Sequence, residues 1–220
     1  MSTHGNEAQD ATASGRLAEL EAELARAHAR LREVDHRMKN DLQLIASVFV
    51  LQARRAPAGP ERDAAQSALD RINALMAVHR RFEPNGETAR MAVDGLVRDI
   101  AEEALAACRR EDVGLRLEID PVTVPTRQAA PLALITGELV REALTQPVAG
   151  GPGAVTVSLK RGSDEVELSV EGNGDGRDGE AAKGFGATLV GLLAQQLRGR
   201  FETLPAEPGR RAVVRFPQSA

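Results

Sequence analysis

The first part of the chain carries a helical hydrophobic pattern. Residues 1–15 are small and polar with no apolar period, so we expect a disordered tail there. Apolar side chains then recur in alternating steps of three and four, which is typical of a coiled-coil seam. Asp41 interrupts this seam, whose other members are Leu17, Leu20, Leu24, Ala27, Leu31, Val34, Met38, Ile45 and Val48.

A second helix follows the break "APAGP" at residues 56–60, because proline and glycine end a helix there. The three-four spacing resumes at Ala65, Leu69, Ile72, Met76 and His79. The pattern therefore predicts an antiparallel helical hairpin over residues 16–84. With so few large residues the hairpin cannot bury its own stripe, so we expect a homodimer that forms a four-helix bundle.

The pattern changes to mixed α/β over residues 91–218. Apolar and polar residues alternate in the strands "VGLRLEI", "AVTVSLKR" and "EVELSVEG", and shorter strands are predicted around "RFETLP" and "AVVRF". Helical periods are predicted near residues 93–110, 130–144 and 187–197, and a glycine-rich loop covers 172–186. This arrangement predicts an α+β sandwich with one covered face.

Composition excludes several classes of function. The 220 residues are 42% hydrophobic, enough to bury a core. A net charge of -4, no Trp or Tyr and five Phe argue against nucleic-acid binding. The longest apolar stretch, residues 44–51, is less than half of the roughly 20 residues that a membrane span needs. The single Cys108 has no neighbouring metal ligands, and with no secretory signal we expect a cytoplasmic protein without a metal site.

The stretch "EVDHRMKNDLQ", residues 33–43, holds the candidate chemistry. With Leu31 and Val34 at seam positions, His36 falls on the outward face of the helix. Asn40 shares that face one turn away, and Asp35 and Lys39 lie close by. A neutral imidazole is a competent nucleophile near neutral pH, and a neighbouring carboxylate can orient it. Charge pairing on a solvated helix face would explain the same residues equally well.

This stretch closely resembles the phosphoacceptor helix of HWE-type sensor histidine kinases, whose pattern is His-Arg-x-Lys-Asn-x-Leu-Gln. "INALMAVHRRF" resembles the second helix of that family. The resemblance implies that His36 is phosphorylated, that residues 91–218 form a GHKL-type ATPase-like domain, and that the partners are response-regulator receivers. It also implies a phosphatase role for Asn40, four residues after the phosphohistidine. Arg37 and Lys39 would lie at the rim of a docked receiver.

The ATPase-like half departs from the family pattern. Glu142 stands where the family has the Mg²⁺-binding Asn, Thr145 and Gln146 replace Lys-His, and Gly172 replaces the Asp that binds adenine. Pro147 would end the helix there. Glu138 matches the first glutamate of the family but is as well explained as a surface charge. We expect a pseudo-ATPase that uses no cofactor, although Asn173, Gly174, Gly176 and the segment 184–190 still resemble the glycine boxes.

Three hypotheses follow. The first is a histidine phosphotransferase that carries phosphate on His36 between receivers without ATP. The second is a divergent kinase without a sensor, with Glu142 as metal ligand, and the third is a scaffold that binds receivers without chemistry. The preserved histidine motif disfavours the scaffold, and the lost nucleotide residues disfavour the kinase. Only a short tail precedes the first helix, which we expect of an intermediary that receives its signal as phosphate.

Overall fold

The computed structural model describes residues 4–81, 90–108, 110–146, 148, 152–174 and 185–218, with side chains from residue 15 onward. A long helical region is followed by a mixed α/β sheet domain, as the pattern predicted. Within the described part of the chain, no helix combines the length and the apolar character that crossing a bilayer demands.

Two helices form the hairpin, α1 at His4–Arg55 and α2 at Pro60–Arg81. The turn between them uses Gly59, whose φ of 139° is accessible mainly to glycine, and Pro60 begins α2 where its missing N–H is not needed. Helix α1 already begins at His4, so the expectation of a disordered tail over residues 1–15 is wrong from residue 4 onward. The residues before Gly15 include several alanines, and extending an existing helix costs far less than nucleating one.

Helix α1 presents two neighbouring stripes. The buried or half-buried stripe lies one residue beyond the predicted seam and comprises Asp35, Lys39, Leu42, Ala46, Phe49 and Ala53. The predicted seam itself is exposed in the single chain; Leu17 and Leu20, for example, are 59% and 57% exposed. Helix α2 thus covers one stripe and leaves the other open, as expected of a helix that contributes to a larger bundle.

The sheet domain contains five strands in the order β2-β4-β5-β7-β6. They are β2 at Val113–Ile119, β4 at Gly153–Arg161, β5 at Glu165–Gly172, β6 at Arg200–Pro205 and β7 at Arg210–Pro217. Only the β2–β4 pair is parallel; the other three pairs are antiparallel. Two three-residue strands, β1 at Arg90–Ala92 and β3 at Thr123–Pro125, form a separate pair. The sequence pattern missed this pair because three residues are too few to show a period.

Three helices pack against the sheet: α3 at Asp94–Cys108, α4 at Thr126–Thr145 and α5 at Phe185–Gln196. The predicted α+β sandwich is therefore confirmed. Helix α4 is central, since it contacts α2, α3, α5 and the sheet. It also holds Glu142 and Thr145, two of the positions at which the chain departs from the pattern it resembles.

The hairpin and the sheet domain share one hydrophobic core. Ala74, Ala77 and Val78 of α2 are buried together with residues of α3, α4 and the sheet. Ion pairs reinforce this contact at the end of α2, where Arg80 donates to Glu103 at 2.9 Å and Arg81 pairs with Asp99. Helix α2 is thus packed against α1 on one side and against the sheet domain on the other.

Candidate functional site

His36 lies exposed on the outward face of α1, as the spacing predicted. Its Nδ1 is 3.2 Å from the side-chain nitrogen of Asn40, one turn further along the helix. A side-chain amide can present either its nitrogen or its oxygen in this position. In the structure the amide nitrogen lies beside Nδ1, so Asn40 donates to that ring nitrogen. The contact therefore fixes the orientation of the His36 ring.

Asp35 does not face His36. Its carboxylate pairs with Lys39 at 2.6 Å and with Nδ1 of His79 on α2 at 3.3 Å, and its side chain is only 13% exposed. Burial by itself raises the pKa of Asp35, but the hydrogen bonds from Lys39 and His79 outweigh it and hold that pKa below its ordinary value. The prediction that Asp35 orients the His36 ring is corrected: this carboxylate joins α1 to α2.

The two basic residues beside His36 differ in their surroundings. Arg37 pairs with Glu33 on the outward face and is 74% exposed. Lys39 lies on the α2 side and is 34% exposed. Of the two, Arg37 is the more accessible to a docked partner, while Lys39 is held by Asp35.

The cleft that corresponds to the nucleotide site lies between α4, β5, β6 and β7. It encloses only about 30 Å³, and Glu142, Gly172, Phe201, Thr203 and Arg210 are among its lining residues. Binding sites for small molecules typically enclose about 300–1,000 Å³. The volume enclosed by the described residues of the cleft is therefore well below that range.

The carboxylate of Glu142 and the guanidinium of Arg210 both line this cleft. The carboxylate of Glu142 lies 3.9 Å from a guanidinium nitrogen of Arg210. Burial raises the pKa of Glu142, and the charges of Arg210 and Arg141 offset this only in part. Glu142 thus replaces a neutral amide with a poorly solvated carboxylate at the position where a polyanionic phosphate chain would need the opposite charge.

The backbone also restricts the cleft at Gly172, the last residue of β5. A Cβ atom added there would lie 3.3 Å from the Cβ of Ala143 on α4. Gly209, with φ of 102°, packs so closely that a Cβ on it would lie 1.9 Å from the carbonyl oxygen of Gly172. A side chain at position 172 therefore requires Ala143 to give by a few tenths of an ångström, so a glycine suits this position.

Asn173 has a structural role. Its side-chain oxygen accepts from the Ala154 N–H at 2.7 Å, and its side-chain nitrogen donates to the Pro152 carbonyl at 3.0 Å. The amide thereby fixes the start of β4. Thr145 bonds back to its own helix, at the Arg141 and Glu142 carbonyls, 3.0 Å each. Pro147, Gly176 and Gly184 lie outside the described residues.

Glu138 is not a surface charge. It is 3% exposed and accepts from Arg71 Nε at 2.7 Å and from Arg141 Nη2 at 3.1 Å. Arg71 also lies over the ring of Phe185 at the start of α5, 4.8 Å from the ring centroid. One arginine of the hairpin thus joins α4 and α5. The sequence did not single out Arg71, because its partner lies 67 residues away and no local spacing reports that contact.

Comparisons with known proteins agree with this architecture. Residues 33–108 match the family model HisKA_2, described as histidine kinase. The chain is 26% identical over 205 residues to the sensor histidine kinase PdtaS of Mycobacterium tuberculosis, covering 86% of this chain and 39% of that protein. It is 27% identical over 205 residues to a blue-light-activated histidine kinase of Rhizobium johnstonii, covering 91% of this chain and 56% of that protein. The chain thus spans about two fifths to just over half of these relatives.

Solved structures show the same fold. The histidine kinase domain of the EL346 blue-light activated histidine kinase from Erythrobacter litoralis superposes with a TM-score of 0.64 at 22% identity, covering 87% of this chain and 94% of that one. The ATP binding domain of PrrB from Mycobacterium tuberculosis gives 0.51 at 23% identity, covering 60% and 97%. The HisKA_2 match covers residues 33–108, and the chain is similar to sensor histidine kinases in sequence and to their solved domains in fold.

Proposed function

We propose that this chain is a histidine phosphotransferase of a two-component phosphorelay, which carries phosphate on His36 between response-regulator receivers and does not use ATP. One observation carries the proposal: His36 is fully presented on α1, whereas the nucleotide cleft is filled by Glu142, Arg210 and the backbone around Gly172. An exposed nucleophile without a working ATP site must receive its phosphate from another protein.

The reaction requires no redox partner or metal on this chain. Nε2 of His36 attacks the phosphorus of a receiver aspartyl phosphate; the new P–N bond forms as the P–O bond to the aspartate breaks, and the imidazole proton is lost to solvent. Asn40 keeps the imidazole ring oriented through its contact with Nδ1 during the attack. The reverse transfer delivers the phosphoryl group to the next receiver. Arg37 lies at the rim of this surface, where a charge mainly tunes the rate of encounter.

The same proposal includes a homodimer. The exposed α1 seam includes Leu31, Val34, Ile45 and Val48, each at least 46% exposed. An apolar stripe of this length on a helix, interrupted at Asp41, favours a second copy as its cover. Light scattering of the full chain should give twice the monomer mass, and the double variant Ile45→Lys, Val48→Lys should give the monomer mass. Gln43→Lys, which adds a charge to the outward face, is the matched control.

Radiolabel transfer tests the function. The purified chain is incubated separately with γ-labelled Mg-ATP and with a labelled phospho-receiver, and acid-labile, alkali-stable label on the chain is measured. We expect label from the receiver, loss of that label in His36→Gln, and none from ATP. Label that depends on His36 and comes from ATP would replace the proposal with a divergent kinase. Receiver binding without any transfer would replace it with a scaffold.

A further inference from the structure

A cavity of about 420 Å³ opens between the hairpin and the sheet domain, away from both His36 and the nucleotide cleft. Helices α2, α3 and α4 form its walls. This volume lies within the range of known small-molecule sites, whereas the nucleotide cleft does not. The cavity at the junction with the hairpin is therefore large enough for a small molecule.

Small residues create this space. Ala74, Ala104, Ala107 and Gly137 line the cavity, with Ile100 and Leu144 beside them. Side chains this small on three facing helices leave room for an apolar group about as large as a leucine or phenylalanine side chain. The apolar part of the lining thus fits a hydrophobic moiety.

Two charged groups of the lining lack full partners. Asp70 accepts one hydrogen bond, from Gln66 at 2.9 Å, and among the described residues no cation lies within 4 Å of it, although the charges of Arg141 and Arg71 act on it from further away. Arg141 gives one nitrogen to Glu138, and its side chain is 33% exposed, so part of the guanidinium remains accessible from the cavity. A half-buried carboxylate without an ion pair costs free energy that the ammonium of a ligand can recover.

We propose that this cavity binds a small zwitterion of the amino-acid class, with its ammonium at Asp70, its carboxylate at Arg141 and an apolar side chain against Ala104 and Ala107. One such molecule would satisfy both groups and fill the apolar space. Burial raises the pKa of Asp70, and the hydrogen bond from Gln66 and the charges of Arg141 and Arg71 offset this only in part.

The site bridges the two parts of the chain. Asp70 and Gln66 belong to α2 of the hairpin, and Arg141 belongs to α4 of the sheet domain. A ligand that contacts both would stabilise their docking, because any molecule that binds only the docked form shifts the equilibrium towards it. This inference does not depend on the phosphotransfer proposal.

The test uses the full chain and the standard L-amino acids at millimolar concentration, first by thermal shift and then by calorimetry. We expect at least one apolar amino acid to raise the melting temperature. The amide of that amino acid, which lacks the carboxylate, and its N-acetyl form, which lacks the ammonium, should bind at least about tenfold more weakly. If no amino acid of the set binds, or if the two blocked forms bind as well as the parent, the proposal is overturned.

Two variants locate the binding. Asp70→Asn preserves the shape and the Gln66 contact but removes the charge, and Ala107→Leu fills the cavity without touching a polar group. Both should lose binding while keeping the circular dichroism spectrum of the parent. Glu202→Gln, on β6 and away from the cavity, is the control and should bind as the parent does. If Ala107→Leu binds the amino acid as the parent does, the ligand lies outside this cavity and the proposal is wrong.

Discussion

The outward face of α1 around His36 and the cleft around Glu142 differ in access and in charge. On α1, His36 and Asn40 lie 3.2 Å apart with the histidine exposed. In the cleft, Glu142 and Arg210 line a space of about 30 Å³, and a Cβ at Gly172 would lie 3.3 Å from Ala143. A nucleophile needs access, and a nucleotide site needs volume and complementary charge. Our proposal rests on this difference, because the α1 face offers the first and the described part of the cleft offers little of the second.

The pKa values of one carboxyl group in each region are shifted in opposite directions. Asp35 beside the phosphoacceptor is stabilised as an anion by Lys39 and His79, so its pKa is lowered. Glu142 in the cleft is destabilised as an anion by burial, so its pKa is raised. The first carboxylate contributes to stability at neutral pH and the second opposes it.

The largest expected effect is at His36. His36→Gln should reduce label transfer from a phospho-receiver to background, because no other exposed imidazole lies beside Asn40. His28→Gln, on the same helix, is the matched control and should transfer as the parent does. Since His36 is exposed, its replacement should leave the thermal unfolding curve unchanged. Transfer that survives in His36→Gln would remove the phosphoacceptor role from α1.

The cleft should not bind Mg-ATP with a dissociation constant below about 1 mM, measured by calorimetry. The double variant Glu142→Asn, Gly172→Asp should gain affinity only if α4 can shift, since the Cβ at position 172 meets Ala143 at 3.3 Å. Adding Ala143→Gly relieves that contact and should increase the gain. A low-micromolar dissociation constant of the parent chain for Mg-ATP would contradict this prediction.

The ion pair between Arg71 of the hairpin and Glu138 of α4 should contribute more to the free energy of unfolding than a surface ion pair. Arg71→Ala leaves Glu138, which is 3% exposed, with Arg141 alone, and should lower the free energy of unfolding by about 2–4 kcal/mol. Glu118→Gln breaks the exposed pair with Arg116 and should cost about 0.5 kcal/mol or less. Chemical denaturation measures both. Equal losses of unfolding free energy in the two variants would show that Arg71 does not stabilise the contact between the hairpin and α4.

Asn40 should act on the receiver's phosphate more than on transfer. Asn40→Ala should slow the loss of phosphate from a docked receiver by at least about tenfold, because the amide no longer holds a water in line with the phosphoryl group. Asn40→Asp keeps an oxygen acceptor at that position and should keep His36 transfer near the parent level. Receiver dephosphorylation at the parent rate in Asn40→Ala would refute this role.

The smallest effect is the pH dependence of the two carboxylates. The folded pKa of Asp35 is lowered, so its contribution is present above the unfolded pKa and is lost as the pH falls through the folded one. The folded pKa of Glu142 is raised, so its penalty is present at neutral pH and disappears as the pH falls below the unfolded value. At pH 7, Asp35→Asn should therefore destabilise the chain and Glu142→Gln should stabilise it. Both differences should shrink in acid, and denaturant titrations at several pH values measure them.

The sequence by itself determined the elements and the outward position of the key histidine. Strands β2, β5 and β6 have the predicted bounds, because alternation over six to eight residues states which face is buried. The predicted α1 seam lies one residue away from the stripe that α2 covers, and His36 lies outside both, on the exposed face that the spacing predicted. The sequence also showed that Glu142 and Gly172 differ from the residues of the kinase motif, because such a departure can be read directly at its position.

The tertiary structure alone decided which partners these residues meet. Asp35 turns to His79, 44 residues away, and Glu138 is buried under Arg71, 67 residues away. A period along the chain reports which face of a helix is apolar but not which helix will cover it. The small volume of the cleft and the larger volume of the cavity beside α2 also depend on tertiary packing. Close packing is a property of side chains that face one another across helices and a sheet, not of any one segment.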